Sequence, residues 1–322
     1  MKRRTLLLAT GALVVAPIVR AQPAQKAVLI GVLAGKTDAM YRPAFASALG
    51  ELGWIEGKNL AIEWRQSEAP ADIAGHADAL MRLRPNVLVT AGPRITQAMA
   101  KLTTTVPIVF LAVADPVGLG LVRSLPYPGG NLTGFQTFAG EEFAGKLLQI
   151  LKEAVPGITR VGALVTPGND MHQNFAAVTK TSATRLHMGV SILSVRDADG
   201  FEAAFETGRR DGIQALLVPG DLLFSSNKER IAALALRHRL PSMFIFSYYA
   251  DAGGLLAYGV SVDALYRGAA RTADKIARGA RPQDIPVERP TRFELVVNLK
   301  TAQALGLKIP QTVLLRADRV IE

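Results

Sequence analysis

The sequence predicts an α/β protein made of two doubly wound parallel-sheet lobes joined by a crossover hinge. Three observations point there. Short continuous Val/Ile/Leu runs, the pattern of strands buried on both faces, alternate with helical segments. That alternation runs through the first half of the chain and restarts in the second. Most of the 322 residues remain once an N-terminal leader is set aside. That is long for one core, since domains commonly hold about 50–200 residues.

In the first half, residues 28–33 read as a buried strand and 41–52 as a helix stopped by Gly53. Residues 60–64 alternate in polarity, as a strand with two unlike faces does. An amphipathic helix over 72–83 leads to a strand at 87–90, a helix at 95–102 and a strand at 108–111. The run 126–131 (Pro-Tyr-Pro-Gly-Gly-Asn) is rich in turn residues and reads as the join between lobes. The second half gives strands at 161–165, 190–195, 215–218 and 241–246, with helices near 173–186, 200–208 and 228–238. A helix over 263–278 ends at Gly279, and Pro282, Pro286 and Pro290 follow it. A strand at 293–298, a helix at 300–305 and a closing strand near 313–316 complete the chain. These last pieces are too few for a third lobe. Their simplest use is to cross back and complete the two sheets, and crossing strands make a hinge. The division expected is residues 22–135 plus about 259–290 for lobe 1, and 136–258 plus about 291–322 for lobe 2.

The N-terminus has the order of a secretory signal peptide. Lys2, Arg3 and Arg4 precede an uncharged, mostly apolar stretch from Thr5 to Val19, and Val19-Arg20-Ala21 offers small residues at a cleavage site. The apolar run is shorter than the roughly 20 residues that span a bilayer. Cleavage is expected after Ala21, and Arg3-Arg4 hints at the twin-arginine route. The chain contains no cysteine. That excludes disulfides, thiolate catalysis, Cys-based metal sites and a lipid-anchored cysteine. The expectation is therefore a periplasmic protein that is not lipid-anchored. Of the formal charge of +10, four positive residues (Lys2, Arg3, Arg4, Arg20) lie in the leader, and the others are scattered. Without a basic run interleaved with aromatics, no nucleic-acid partner is expected.

Catalytic and cofactor motifs are incomplete. Gly140 to Lys146 fits the start of a phosphate-binding loop, but Leu147 stands where Ser or Thr would hold magnesium. No Gly-x-Gly-x-x-Gly follows a strand, and no Gly-x-Ser-x-Gly elbow occurs. His76, His172, His187 and His238 lack metal-ligand spacing and read as surface or helix-end residues. Asp197-Ala-Asp199-Gly200 is a calcium-loop fragment without its remaining ligands. The chain is expected to be no enzyme and to carry neither cofactor nor metal. What remains is polar residues at strand ends, where open α/β sheets bind ligands. Those ends are residues 34–37, 91–94, 112–116, 166–170 and 219–222. Two such crevices facing each other would form a closable cleft.

Several longer strings are shared with a known family. Leu52-Gly-Trp-Ile-Glu-Gly-Lys58 with Glu63-Trp-Arg65, Asp115-Pro-Val-Gly-Leu-Gly-Leu-Val122 and Pro128-Gly-Gly-Asn-Leu-Thr-Gly134 are three of them. His238-Arg-Leu-Pro241, Ala252-Gly-Gly254 with Tyr258-Gly259, Pro286 to Glu294, Asn298 to Ala302 and Leu305 to Pro310 are the rest. Across essentially the whole chain after the leader, the sequence resembles ABC transporter substrate-binding proteins of the tryptophan/tyrosine type. The resemblance implies a type I periplasmic binding protein fold, with three crossovers and a small-molecule ligand in the cleft. It also implies a membrane permease and ATPase as partners. A monomer is expected. An exported sensor docking on a receptor is the alternative that sequence does not separate from this. Family members commonly carry Gly-Thr-Pro-Ala after the third strand, whereas this chain has Gly92-Pro93-Arg94-Ile95. Arg94 either takes over the donor role of the absent Thr or changes the ligand.

For an amino acid ligand, the carboxylate needs N–H donors at a helix start or an Arg fork. Arg94 with the amides of Ile95 and Thr96 is placed for that. The ammonium needs a carboxylate, for which Asp115 and Asp221 are the candidates, one from each lobe. The side chain needs an apolar or aromatic wall, for which Phe135, Tyr248, Tyr249 and Tyr258 are the candidates. Each has a competing role. Asp115 could cap a turn, Asp221 could start a helix, Arg94 could face solvent, and the tyrosines could pack.

Overall fold

In the computed structural model, the described residues are 27–137, 140–290 and 292–322. The expected leader lies outside them. The first half lays down β1 (Val28–Gly35), α1 (Arg42–Glu51), β2 (Leu60–Ser67), α2 (Asp72–Arg82), β3 (Val87–Ala91), α3 (Pro93–Leu102), β4 (Ile108–Val113) and β5 (Leu132–Gln136). The second continues with α4 (Glu141–Ala154), β6 (Arg160–Val165), α5 (Asp170–Arg185), β7 (Gly189–Ser194), α6 (Gly200–Arg210), β8 (Ala215–Val218), α7 (Leu222–Ser226), α8 (Lys228–Arg237), β9 (Ser242–Phe244) and α9 (Tyr248–Asp251). The last stretch adds β10 (Leu256–Val260), α10 (Val262–Ala277), β11 (Phe293–Asn298), α11 (Leu299–Ala304), α12 (Gln311–Leu314) and β12 (Arg319–Ile321).

These strands form two sheets. The first runs β2-β1-β3-β4-β5, all parallel. The second runs β12-β11-β10-β9-β8-β6-β7, parallel except for the antiparallel β10–β11 pair. The strand order reverses beside β1 in one sheet and beside β6 in the other, which is the doubly wound arrangement. The chain passes between the sheets after Gln136, after Val260 and before Phe293. α10 follows a strand of the second sheet yet packs on α1, β3, β4 and β5.

Continuous apolar strands are covered on both faces, as parallel sheets require. Leu33, Leu88 and Phe110 are sealed on one side of the first sheet by Ile73, Leu80 and Met99. Phe45, Leu49, Tyr266 and Ala269 cover the other side. Fully buried rings such as Phe110, Phe201 and Phe244 each contribute about 1.5–3 kcal/mol relative to an exposed position. Helix starts are set by short polar side chains. Asn169 caps α5 through Met171 N–H (3.1 Å), and Asn298 caps α11 through Thr301 N–H (3.0 Å).

Three expectations are corrected. The run 126–131 is not the join: it leads from β4 into β5 of the same sheet, and Asn131 is fixed there by donating to Val106 C=O at 2.7 Å. Residues 313–316 do not make the closing strand. Pro310 starts a helix there, its carbonyl accepting from the Val313 and Leu314 N–H groups. The closing strand is β12, paired with β11. His172 is buried, only 1% exposed, rather than a surface histidine.

Candidate functional site

The carboxyl ends of the strands of both sheets face each other across one cavity. The first sheet supplies Gly35 and Asp38 after β1, residues 91–95 after β3, and Ala112 and Ala114 at the end of β4. The second supplies Met171, His172 and Phe175 from α5, residues 219–222 after β8, and Ile245, Phe246 and Tyr248 after β9. Thr137, Phe143, Ser225 and Val262 complete the lining, which is mainly apolar. Gly259 permits one wall to form. A Cβ there would lie 1.8 Å from the Ile245 carbonyl oxygen, so any side chain would push β10 away from the segment carrying Ile245.

The lobes touch directly. Thr37 Oγ1 donates to Ser225 C=O at 3.0 Å, and Arg94 Nε lies 3.7 Å from Asp221 Oδ2. A Cβ on Gly35 would meet the Leu222 side chain at 3.1 Å.

Asp221 is the most elaborately held polar residue in the cavity. Its side chain is 2% exposed. Oδ1 caps α7 by accepting from Leu223 N–H at 2.7 Å, and Oδ2 accepts from Asn169 Nδ2 at 2.9 Å. His172 Nε2 lies 3.9 Å from Oδ2. The histidine's tautomer follows from its other nitrogen. Thr166 N–H can only donate, so Nδ1, 2.8 Å away, is the acceptor and the ring proton sits on Nε2. Nε2 reaches Gly220 C=O at 3.3 Å. Burial pushes the His172 pKa down and keeps the imidazole neutral, although Asp221 pulls it the other way. Arg94 Nε has no hydrogen-bond partner among the described residues and is shielded from solvent. It is thus a donor whose satisfaction needs a further acceptor in the cavity.

Asp38 is the second acid in the cavity. It lies in the 3₁₀ turn Lys36–Tyr41, and its Oδ2 accepts from Gly35 N–H at 2.9 Å. Loss of solvation pushes its pKa up from 3.8 to about 6, against the lowering effect of that N–H.

The sequence-predicted residues divide into two groups. Arg94, Ile95, Asp221 and Tyr248 line the cavity together, and Tyr249 is buried behind Tyr248 with ring centroids 4.7 Å apart. Thr96, Asp115, Phe135 and Tyr258 are not among the lining residues. Thr96 is fully buried, its hydroxyl donating to Gly92 C=O at 2.8 Å and lying 2.9 Å from Thr90 Oγ1. Asp115 is exposed and caps a turn through Gly118 N–H at 2.8 Å. Phe135 packs on α10, where a Cβ on Gly268 would come within 2.6 Å of its ring. Tyr258 stacks on Phe143 and Phe293 in a different depression, lined also by Glu142, Lys146 and Arg185. Sequence reasoning missed Asp38 and His172. Asp38 lies just beyond the strand end marked at 34–37, and His172 just beyond 166–170, so extending each strand end by two residues would have found both.

The family model described as ABC transporter substrate binding protein matches residues 29–321. The chain belongs to that family. A tyrosine-binding protein of Clostridioides difficile is 24% identical over 282 residues, covering 83% of this chain and 76% of the relative. A solved Streptococcus pneumonia ABC domain in complex with L-Trp superposes with a TM-score of 0.84 at 24% identity, covering 92% of this chain and 100% of that one. A conserved domain protein of Vibrio cholerae gives 0.85 at 25% identity, with the same coverage. The substrate-binding chain thus has the type I periplasmic binding protein fold, with two sheets around a cleft. No helix among the described residues is long and apolar enough to cross a membrane.

Proposed function

We propose that this substrate-binding protein is the exported, solute-capturing component of an ABC uptake system, and that its solute is an amino acid, with an aromatic side chain the leading candidate. The observation that carries the reading is the buried, unpartnered Arg94 Nε–H beside the Asp221 carboxylate, in an otherwise apolar cavity shared by both lobes. A guanidinium and a carboxylate side by side complement the two α-groups of an amino acid. The carboxylate takes Arg94 together with the N-terminus of α3, while the ammonium takes Asp221. Ile95, Phe246 and Tyr248 then wall the side chain. Because the contacts come from both lobes, solute favours the closed form over the open one. The relatives named for tyrosine and bound to L-Trp support the aromatic class. The basic and apolar leader supports export to the periplasm. A permease and ATPase are the partners this family membership implies.

The test is thermal unfolding of protein that has been unfolded and refolded to strip bound solute, against the twenty amino acids, small carboxylates and nucleosides. A solute at about 100 times its Kd stabilises by about 2.7 kcal/mol. A shift with amino acids that disappears in Arg94→Ala supports the reading. A shift with nucleosides or carboxylates alone overturns the ligand class. Uptake by membranes holding the neighbouring permease then separates transport from a receptor-docking sensor.

A further inference from the structure

We infer that Asp38 reads the side chain of the solute, accepting a hydrogen bond from a donor at a point separate from the groups that meet Arg94 and Asp221. This rests on the amino acid reading above and deepens it.

Two carboxylates face the same cavity in unlike circumstances. An ionised carboxylate offers about four acceptor positions. At Asp221 the protein supplies two hydrogen bonds, an arginine and a histidine. At Asp38 it supplies one hydrogen bond, from Gly35 N–H. Among the described residues no Lys, Arg or His forms an ion pair with Asp38. The groups around it are tyrosines instead. Tyr41 and Tyr266 stack at 5.6 Å, and Tyr248 is buried close enough to feel the carboxylate's charge. The Tyr266 hydroxyl is near enough to act on Asp38 as a weak hydrogen-bond donor that lowers its pKa, yet its geometry is not that of a formed hydrogen bond. A half-buried acid with open acceptor positions is costly unless something completes it. The cavity that Asp38 lines is open to such a partner.

No hydrogen bond or ion pair joins Asp38 to the cluster of Arg94, Asp221 and His172 among the described residues. The cavity therefore has two separate acidic points set in mainly apolar walls. A solute that satisfies both carries its α-groups at the first, an apolar body between, and a donor for the second. The phenol of tyrosine, the indole N–H of tryptophan and the ammonium of lysine all meet that description. Phenylalanine, leucine and norleucine do not. A site built around a polar contact discriminates strongly against an analogue that leaves it unpaired.

The experiment is calorimetric titration with matched pairs that differ in the donor: tyrosine against phenylalanine, tryptophan against 3-benzothienylalanine, and lysine against norleucine. Each is run on the wild type, Asp38→Asn and Asp38→Ala, with circular dichroism confirming that the variants fold. In at least one pair the donor-bearing member is expected to bind the wild type at least tenfold more tightly. That ratio should fall toward one in Asp38→Ala and shrink in Asp38→Asn. Equal affinities within every pair that binds, or a ratio unchanged in both variants, would overturn the assignment of Asp38 and leave the amino acid reading standing. Binding by none of the six compounds would overturn the role of Asp38 and the aromatic class, and the screen of all twenty amino acids would then decide the amino acid reading.

Discussion

Asp221 and Asp38 line one cavity, belong to opposite lobes and differ in what the protein has already given them. Asp221 is a structural centre. It caps a helix, orients Asn169, borders a neutral histidine and meets an arginine from the other lobe. Asp38 is held by one backbone N–H and otherwise faces rings and the cavity. The difference teaches that burial beside a cleft does not by itself mark a recognition residue. Open hydrogen-bonding capacity does. On the proposed reading Asp221 serves stability as well as the solute's ammonium, whereas Asp38, left short of partners, acts mainly on which side chain enters.

The contrast breaks most directly at Asp221. Asp221→Ala removes a helix cap and leaves Arg94 and Asn169 unpaired, so unfolding stability should fall by about 3 kcal/mol. Urea unfolding measures it, and a loss under 1 kcal/mol would mean that the cluster is not the anchor described.

Asp38 should show itself in pH dependence instead. Its pKa is raised from 3.8 to about 6. The folded state therefore binds a proton more readily than the unfolded chain does. The resulting stabilisation is complete below pH 3.8 and is lost as pH rises through about 6. Asp38→Asn removes that loss, flattening the stability profile between pH 4 and 7 by about 2 kcal/mol after allowance for water reaching the group through the cavity. His172 acts with the opposite sign. Its pKa is lowered by burial, so its contribution is present above pH 6.5 and is lost as pH falls. The profile is thus read as a difference between variant and wild type in parallel chemical denaturations.

Thr37→Val sharpens the comparison on a smaller scale. It deletes the interlobe hydrogen bond to Ser225 C=O and leaves both carboxylates in place. A net hydrogen bond is worth about 1 kcal/mol, or roughly fivefold in affinity. Titration calorimetry should show that weakening for every solute alike, with no change in the ratio between members of a pair. The smallest effect belongs to Tyr258→Phe. Its ring stacks outside the cavity, so solute affinity should stay within twofold, and a larger change would place Tyr258 in the recognition path after all.

Most of the fold was legible because its strands are apolar runs and its helices end in Gly or begin in Asn. Four of the five strand ends named from sequence contribute lining residues, and the fifth, 166–170, leads into the α5 residues that do. What sequence hid depends on tertiary choices. Val313-Leu314-Leu315 has a strand's composition, and only the turn imposed by Pro310 makes it helical. β10 is short, and Gly259 serves in it for close approach to Ile245 rather than as a break. At the site, Arg94 and Asp221 were found because they follow strands directly. Asp115 follows a strand equally closely, yet it turns back to Gly118 N–H. Asp38 was missed because its importance comes from the partners it lacks, and a sequence does not list a residue's partners.

The direct contacts across the cleft have a kinetic consequence. Thr37 reaches Ser225, and Arg94 approaches Asp221, through protein atoms alone. Departure of cargo then has to break both contacts, so release must be preceded by a parting of the lobes. When bound solute is chased with a growing excess of competitor, its release rate should reach a plateau set by that parting. Stopped-flow mixing would show the plateau, and loosening the seam with Thr37→Val should raise it. The seam would then set how fast such a protein can let its cargo go.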